Sequence, residues 1–266
     1  MDIVVYRSGT PWATPIEAAT IDGFKVHGLD VEVRPKGDWR KSDVAVVWGH
    51  RDTVLHDIQK DNHYLVLERG HLHPRRTYTA MSWDGLGRRG RYPKAPNGDR
   101  WNNLFAGYMK SWKSGGSHVV IFGQVLGDAS LVGVDFHAWV SDAVCSARVY
   151  GLPVIFRPHP RSAGLGDNWR PDGCEVSACS LESDLDRAAV AITYNSTSGV
   201  EAVLAGVPTV CCDPGAMAWP VAGHDIGKTI TPYRTEWAHD LAYTNWTLDE
   251  IADGTAWAAE RTVIKD

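Results

Sequence analysis

Short apolar runs alternate with helical segments from one end of the 266-residue chain to the other. The runs have strand length and are rich in Val and Ile, as buried parallel strands tend to be. They fall at residues 3–6, 31–34, 44–48, 64–68, 118–124, 153–157, 190–194 and 209–212. Helices are predicted over residues 12–27, 101–112, 134–150, 197–206, 236–243 and 247–260. This alternation predicts an α/β fold with parallel sheets.

A short polar segment divides this pattern into two halves. Residues 113–117 have the sequence KSGGS and lie between a predicted helix and a strongly apolar strand, which is typical of a domain boundary. Each half contains four of the predicted strands, so we expect Rossmann-like domains over residues 1–114 and 115–235, followed by terminal helices over 236–266. Two such sheets would face a central cleft and bind ligands at the carboxyl ends of their strands.

Composition excludes several classes of protein. Apolar residues make up 44% of the chain and charged residues 22%, which is typical of a globular protein with a real core and not of a disordered chain. No apolar run reaches the ~18 residues of a membrane span, and the N-terminal sequence MDIVVYRSGT predicts a strand instead of a signal peptide. Five cysteines without CxxC spacing indicate neither a disulfide framework nor a zinc site, so we expect a cytoplasmic protein.

Positive charge is concentrated in one segment, although the whole chain carries a net charge of −5. Residues 69–100 contain eight Lys or Arg and only two acids, which gives a local charge of +6. Such a segment predicts contact with an anionic partner, and a solvated loop without a partner is the alternative. The basic residues are Arg69, Arg75, Arg76, Arg88, Arg89, Arg91, Lys94 and Arg100.

The strand predicted over 190–194 ends in a turn rich in hydroxyl groups. Ser196 and Thr197 lie in this turn, at the start of a predicted helix. Unpaired N–H groups, the helix dipole and hydroxyl donors together favour an anion at such a position. Glu201 lies one turn further on, where it could reach a sugar hydroxyl. The alternative is that Ser196 or Thr197 only caps the helix.

Polar residues also follow two other strands of the C-terminal half. His159 lies between two prolines after the strand at 153–157, and Arg157 ends that strand. A phosphate could therefore meet an imidazole and a guanidinium together, although a lone histidine is often structural. Gln124 and Asp128 lie beside glycines after the strand at 118–124, where the backbone can approach a ligand closely.

In the N-terminal half, Glu68 ends the strand at 64–68 and is followed by Arg69 and Gly70. A carboxylate at the carboxyl end of a strand, facing the predicted cleft, is placed as a general base would be. The alternative is a structural ion pair with a neighbouring arginine.

Several common motifs are missing or weak. Asp184 and Asp186 match the DxD pattern of metal-dependent sugar-nucleotide sites, but they open a helical segment instead of ending a strand. We therefore interpret Asp184 as a helix cap and predict no metal. The sequence contains no GxGxxG, GxxxxGK[ST], HExxH or GxSxG pattern, which removes the main support for dinucleotide, P-loop, zinc-protease and hydrolase functions.

Four segments in order resemble the motifs of bacterial capsule-polysaccharide biosynthesis transferases, a family that includes Kdo transferases. LERGHLHP is similar to their E-x-G-x-x-R-P segment, and IFGQVLGDASL to their LQ…D(S) segment. VIFRPHP resembles their K/R-P-H-P segment, and TYNSTSGVEAVLAGVPTV their N-S-T-x-G-x-E-A-L segment. The resemblance spans roughly residues 64–212. Kdo-transferring members read E-D-G where this chain has Glu68, Arg69 and Gly70.

This resemblance implies a GT-B architecture with two Rossmann-like domains, the C-terminal one holding a sugar nucleotide. No cofactor or obligatory metal is implied, since the nucleotide sugar is itself a substrate. The donor-binding residues implied by position are Gln124, Asp128, Arg157, His159, Ser196, Thr197 and Glu201, with Ser196, Thr197 and His159 at the phosphates and Glu201 at the ribose. Glu68 and His159 are the implied catalytic residues.

The function expected from these observations is transfer of a sugar from a nucleotide-sugar donor to an acceptor hydroxyl. Because the basic segment begins beside Glu68, the acceptor is expected to be anionic, either a surface polysaccharide or a glycolipid. The predicted acceptor-binding residues are Arg69, Arg88, Arg89 and Arg91.

Three alternatives remain open from the sequence. A phage-type DNA glycosyltransferase would use the same arginines to follow DNA phosphates and would hold a flipped hydroxymethyl pyrimidine against Trp83 and Tyr92. A sugar-nucleotide 2-epimerase would use a similar scaffold with no acceptor. A non-catalytic module would bind the sugar nucleotide without turnover.

Overall fold

The computed structural model of the protein describes residues 1–49 and 53–264. In this part of the chain the strands are β1 (Ile3–Arg7), β2 (Val31–Pro35), β3 (Val44–Trp48), β4 (His63–Arg69), β5 (Thr79–Trp83), β6 (His118–Phe122), β7 (Val154–Arg157), β8 (Glu175–Val176), β9 (Ala188–Thr193) and β10 (Thr209–Cys211). The α-helices are α1 (Thr14–Val26), α2 (Thr53–Ile58), α3 (Asp99–Leu104), α4 (Phe136–Ala147), α5 (Leu181–Arg187), α6 (Ser198–Leu204), α7 (Thr235–Ala242), α8 (Leu248–Ala252) and α9 (Thr255–Glu260).

The first of two compact units comprises Met1–Asn103 and Ala238–Asp266. Its sheet has the strand order β2-β1-β3-β4-β5. The first four strands are parallel, whereas β5 runs antiparallel to β4. Residues of β1, β3 and β4 form one buried cluster with Phe24 of α1 and Trp257 of α9. The carboxyl ends of β1, β3 and β4 therefore lie at one edge of a well-packed sheet.

The second unit comprises Leu104–Trp237. Its sheet has the order β10-β9-β6-β7-β8, and every strand pair in it is parallel. Buried Val, Ile and Phe side chains of β6, β7 and β9 pack against α4. Parallel pairing brings the carboxyl ends of β6, β7, β9 and β10 to the same edge, and the loops that follow them form the candidate site.

The sequence predicts most of this architecture. Each of its eight strands is present with bounds shifted by at most two residues, and the prediction of an α/β fold with two Rossmann-like halves is confirmed. Two strands were missed. The β5 sequence TAMSW begins and ends with residues that favour strands, Thr79 and Trp83, and all five of its residues are buried. It pairs antiparallel with β4 at one edge of an otherwise parallel sheet. Strand β8 has only two residues, both exposed.

The helix predicted over 247–260 is broken into α8 and α9. Gly254 lies between them with φ of 83°, a left-handed conformation that glycine adopts at little cost. Thr247 and Glu250 form a capping box at the start of α8. No helix in residues 1–49 and 53–264 is long and apolar enough to cross a membrane.

The C-terminal helices are part of the first unit. A Cβ on Gly23 of α1 would lie 2.0 Å from the Ile251 carbonyl oxygen of α8, so only glycine allows this close approach. Trp83 Nε1 of β5 donates to the Glu260 carbonyl at 3.0 Å, and Trp246 Nε1 donates to Glu260 Oε1 at 2.9 Å. The units therefore divide at Leu104 and Ala238, whereas the sequence suggested division at residues 115 and 236.

Candidate functional site

An asparagine after β9 joins three neighbouring loops of the second unit. Gln124 Nε2, after β6, donates to Asn195 Oδ1 at 2.8 Å, and Asn195 N donates to Gln124 Oε1 at 3.1 Å. Asn195 Nδ2 donates to the Ser130 carbonyl at 2.9 Å and to Asp213 Oδ2, after β10, at 2.8 Å. This reciprocal network orders the carboxyl edge of the sheet. Gln124 lies there as predicted. Asn195 and Asp213 were missed as candidates, although each is a polar residue close behind a predicted strand.

The turn before α6 is held by its own hydroxyl groups. Ser196 N donates to Thr193 Oγ1 at 2.9 Å, and Ser196 Oγ accepts from Ser198 N at 3.2 Å. Thr197 occupies the N-cap position of α6, and Glu201 lies half-buried in its first turn. The Ser196 hydroxyl thus closes a local turn just before the helix, no side-chain hydrogen bond caps α6, and contact of Ser196 with a phosphate stays a prediction.

His159 lies half-buried just beyond β7. Its Nδ1 accepts a hydrogen bond from the backbone N–H of Arg161 at 3.1 Å. Because Nδ1 accepts, the neutral ring carries its proton on Nε2. The turn therefore fixes the tautomer in which His159 Nε2 is a hydrogen-bond donor. A phosphate oxygen is an acceptor and can bind such a donor.

The Arg157 guanidinium forms an ion pair within the protein. Its Nη1 donates to Asp184 Oδ2 at 2.7 Å and to the Cys179 carbonyl at 2.6 Å. Asp184 is buried and also accepts from Ser177 Oγ at 2.6 Å. The interpretation of Asp184 as a helix cap is wrong, because Ser180 occupies the N-cap of α5 and accepts from Ser183 N. The ion pair gives Arg157 a structural role in fixing the end of β7.

A cavity of about 400 Å³ opens in the second unit, lined by the loops after β6 and β7 and by α4. Inside it the His137 ring stacks on Trp169 with 4.1 Å between centroids, and His137 Nε2 lies 3.5 Å from Asp167 Oδ1. A crevice of about 10 Å³ lined by Gln124 and His159 shares His137, Asp167 and Trp169 with this cavity. Two predicted donor-binding residues therefore border a space with an aromatic wall.

Asp128 has a local structural role in the loop after β6. It is the N-cap of a short 3₁₀ turn over Ala129–Leu131 and accepts from the Ser130 backbone N–H at 3.4 Å. Since Ser130 also receives the Asn195 amide through its carbonyl, Asp128 helps to shape the loop beside the network.

In the first unit, Glu68 is the last residue but one of β4 and is half-buried. Gly49 follows the neighbouring strand β3. A Cβ on Gly49 would stand 3.4 Å from Glu68 Oε1, so this glycine leaves room beside the carboxylate. The structure places Glu68 at the carboxyl edge of the sheet, as the sequence predicts, and its role as a base stays a prediction.

The turn after Glu68 and Arg69 is fixed from the C-terminal segment. Asn245 Oδ1 accepts from His71 N at 2.7 Å and from Leu72 N at 3.1 Å. A Cβ on Gly70 would lie 2.6 Å from Tyr78 Cβ, so the glycine of the E-x-G pattern is required for this packing. Burial lowers the pKa of His71 to about 3, and its ring is therefore neutral at physiological pH.

Arg69 lies over an aromatic ring, as Arg100 of the same segment also does. Its Cζ is 4.9 Å from the centroid of Trp12, a distance at which a cation is attracted to the face of a ring. Trp12 meets Trp48 edge-on, with 4.4 Å between centroids and 82° between planes.

Much of the basic segment 69–100 is paired within the protein. Arg91 forms an ion pair with Asp84, Lys94 Nζ lies 2.6 Å from Asp240 Oδ2, and Arg100 pairs with Glu250. Arg88 and Arg89 lie exposed in a 3₁₀ turn over Gly87–Arg89. The local charge of +6 is therefore reduced by acids that are distant in sequence.

The two aromatic residues predicted to flank a flipped base do not form an open wall. Trp83 is fully buried and donates to the Glu260 carbonyl. The Tyr92 hydroxyl lies 3.4 Å from His71 Nε2. This finding weakens the structural argument for the DNA alternative.

Comparison with solved structures identifies the fold. The beta Kdo 2,4 transferase of Thermosulfurimonas dismutans KpsC matches with a TM-score of 0.65 and 13% identity over 93% of this chain and 92% of its own. The beta Kdo 2,7 transferase of the same protein matches with a TM-score of 0.59 and 16% identity over 97% and 99%. The fold is GT-B. No family model and no curated protein sequence matches the chain.

The GT-B fold accounts for the position of the predicted residues. Its second unit brings Gln124, His159 and the start of α6 to the carboxyl edge of one sheet, while Glu68 and Arg69 lie at the carboxyl edge of the other. Within residues 1–49 and 53–264 no group of three His, Cys, Asp or Glu side chains could hold a metal ion.

Proposed function

We propose that this GT-B chain is a glycosyltransferase that moves a sugar from a nucleotide-sugar donor to a hydroxyl of an anionic acceptor, a surface polysaccharide or glycolipid. The observation that carries the proposal is the polar edge of the second unit, where the Asn195 network, His159 and the α6 turn surround one end of the sheet. In open α/β sheets ligands bind at this end of the strands. No cofactor takes part.

The donor half of the proposal rests on the chemistry of the leaving group. When the bond between the anomeric carbon and the donor phosphate breaks, its electron pair stays on the phosphate. His159 Nε2–H and the hydroxyl groups of Ser196 and Thr197 at the start of α6 would stabilise that charge. Glu201 would contact the ribose.

The acceptor half rests on Glu68. Its carboxylate would take the proton of the acceptor hydroxyl as the oxygen of that hydroxyl bonds to the anomeric carbon. Glu68 loses its negative charge when it takes the proton, and the departing phosphate gains one negative charge, so the step balances. Arg69 would attract the anionic acceptor, and the exposed Arg88 and Arg89 add positive charge to the same unit.

Donor binding tests the first half directly. A thermal-shift screen of CMP, UDP and GDP sugars identifies the donor, since a ligand stabilises the native state by mass action. His159→Ala is then expected to weaken binding of that donor by about 1–3 kcal/mol in calorimetry, because a hydrogen bond to a charged group is lost. His224→Ala, which removes an exposed histidine of the same unit, is the matched control. Equal affinities for the two variants, both folded, would contradict the phosphate assignment.

Turnover and donor binding are expected to survive EDTA. The acids of the DxD pattern are not arranged for a cation, since Asp184 Oδ2 accepts from both Arg157 and Ser177. The measurement is the rate of sugar-nucleotide consumption before and after chelation. A loss on chelation that Mg²⁺ restores would contradict metal independence.

A further inference from the structure

We propose that Trp12 and Arg69 form a subsite for a second, anionic sugar unit of the acceptor, next to the unit whose hydroxyl reacts. This inference rests on the proposed function and assigns a role to an aromatic surface that the transfer step itself does not use. The ligand class is an acidic saccharide of at least two units, with a carboxylate on the unit that contacts Arg69.

The position of the cluster follows from the sheet. Trp12 lies in the loop after β1, Trp48 ends β3 and Arg69 ends β4. These three strands are neighbours and run parallel, so their carboxyl ends share one edge. Trp48 is opposite Leu67 in the register, and Arg69 is two residues beyond Leu67. Trp48 and Arg69 therefore leave the sheet on the same face.

Alternation along β4 sends the Glu68 side chain to the opposite face from Arg69. The Cα atoms of adjacent residues are only about 3.8 Å apart, which is less than the width of one sugar ring. A saccharide that presents a hydroxyl to Glu68 must cross this edge before it meets Arg69 and Trp12. The subsite is thus suited to the neighbouring sugar unit and not to the reacting one.

Trp12 is exposed but firmly held. Its side chain is 44% exposed, and a single exposed tryptophan would be unremarkable. Hydrogen bonds, however, fix both ends of its loop. Ser8 N donates to Glu17 Oε1 of α1 at 2.9 Å, and Thr14 N donates to the Thr10 carbonyl at 3.1 Å. Glu17 is itself buried. A supported ring of this kind loses little conformational entropy when it binds a ligand.

The chemistry of the pair selects the ligand. The C–H groups on one face of a pyranose ring are apolar and pack on the face of an indole, whose polar rim stays in water. The planar guanidinium of Arg69, which lies near this ring, has N–H groups that can form paired hydrogen bonds with a carboxylate. Because Arg69 already lies over the Trp12 ring, the sugar would pack on the part of Trp12 that stays exposed, and Arg69 would select an acidic over a neutral sugar.

The test uses a uronic-acid disaccharide and its carboxyl-reduced neutral counterpart as probes, with binding measured by calorimetry on the full chain. Trp12→Ala is expected to weaken binding of the acidic disaccharide by about tenfold or more, and Trp12→Phe to retain most of it. Arg69→Lys is expected to abolish the preference for the acidic over the reduced probe. Tyr233→Ala, which removes an aromatic side chain that is 82% exposed in the second unit, is the matched control.

Several results would overturn the subsite. The first is unchanged binding of the acidic disaccharide by Trp12→Ala with a normal unfolding temperature. The second is that Trp12→Ala weakens binding of an acidic monosaccharide as much as binding of the disaccharide. The third is displacement of the disaccharide by hydroxymethylated duplex DNA. Failure of the proposed function is distinguishable from failure of the subsite. The first would appear as a lack of binding or consumption of any sugar nucleotide, whereas the disaccharide-binding test needs no donor.

Discussion

Glu68→Gln is expected to lower turnover by about 10²- to 10⁴-fold while donor and acceptor still bind. The amide keeps the shape of the side chain and its place beside Gly49 but cannot accept a proton at neutral pH. An effect on the rate constant kcat, with little change in KM, is the signature of a group that acts in the transition state. The measurement is the initial rate of sugar transfer at saturating donor and acceptor.

Glu175→Gln, at an exposed glutamate of β8, is the control for a change of charge alone and is expected to leave kcat unchanged. Near-normal turnover by Glu68→Gln would show that another group is the base. Asp84 and Asp128 are the next carboxylates to test, but Asp84 is paired with Arg91 and Asp128 caps a turn. Both would have to give up a structural partner to act.

The sequence predicts those parts of the site that depend on local structure. Gln124, His159 and Glu68 each lie at or just beyond the end of an apolar strand, and in a parallel sheet this position alone places a side chain at the ligand-binding edge. The prolines on either side of His159 also act locally, since they restrict the backbone around it. The position of these residues could therefore be predicted without knowledge of the tertiary fold.

Partners that are distant in sequence could not be predicted. The sequence predicts Asp184 to be a helix cap, whereas its carboxylate forms an ion pair with Arg157, 27 residues away along the chain; the predicted contact of Arg157 with a phosphate stays a prediction. The charge of the segment 69–100 was overestimated for the same reason, since Asp240 and Glu250 neutralise part of it from the C-terminal helices. A charge count over one stretch of sequence includes only the residues of that stretch, whereas these two acids lie beside the segment only in the folded chain.

Arg100→Met is expected to reduce the free energy of unfolding by about 3–5 kcal/mol, because it leaves a partly buried carboxylate without its partner. Arg100 donates to both oxygens of Glu250, and the two side chains are only 10% and 21% exposed. Arg100 also donates to the carbonyls of Ala242 and Asn245 and lies 4.3 Å from the centroid of the Trp246 ring. The variant therefore removes the link between α3 and α8, as equilibrium urea unfolding can measure.

Lys94→Met is the matched control, since it breaks an ion pair with the same C-terminal segment at the surface. Lys94 and Asp240 are 85% and 36% exposed, and exposed pairs contribute at most about 1 kcal/mol. Equal losses for the two variants would contradict the stabilising role assigned to Arg100.

The pH dependence of stability separates the two variants further. Burial raises the pKa of Glu250, but hydrogen bonds from Arg100 and Thr247 outweigh burial and hold this pKa below its usual 4.5. Below pH 4.5 the unfolded chain binds a proton at this carboxyl before the native chain does, so the contribution of the pair falls as the pH falls through the native pKa. In Arg100→Met this native pKa should rise, and the part of the acid destabilisation due to Glu250 should disappear. Lys94→Met should retain this loss of stability at low pH. If Arg100→Met lost stability below pH 4.5 as the unsubstituted protein does, the pair would not control the titration of Glu250.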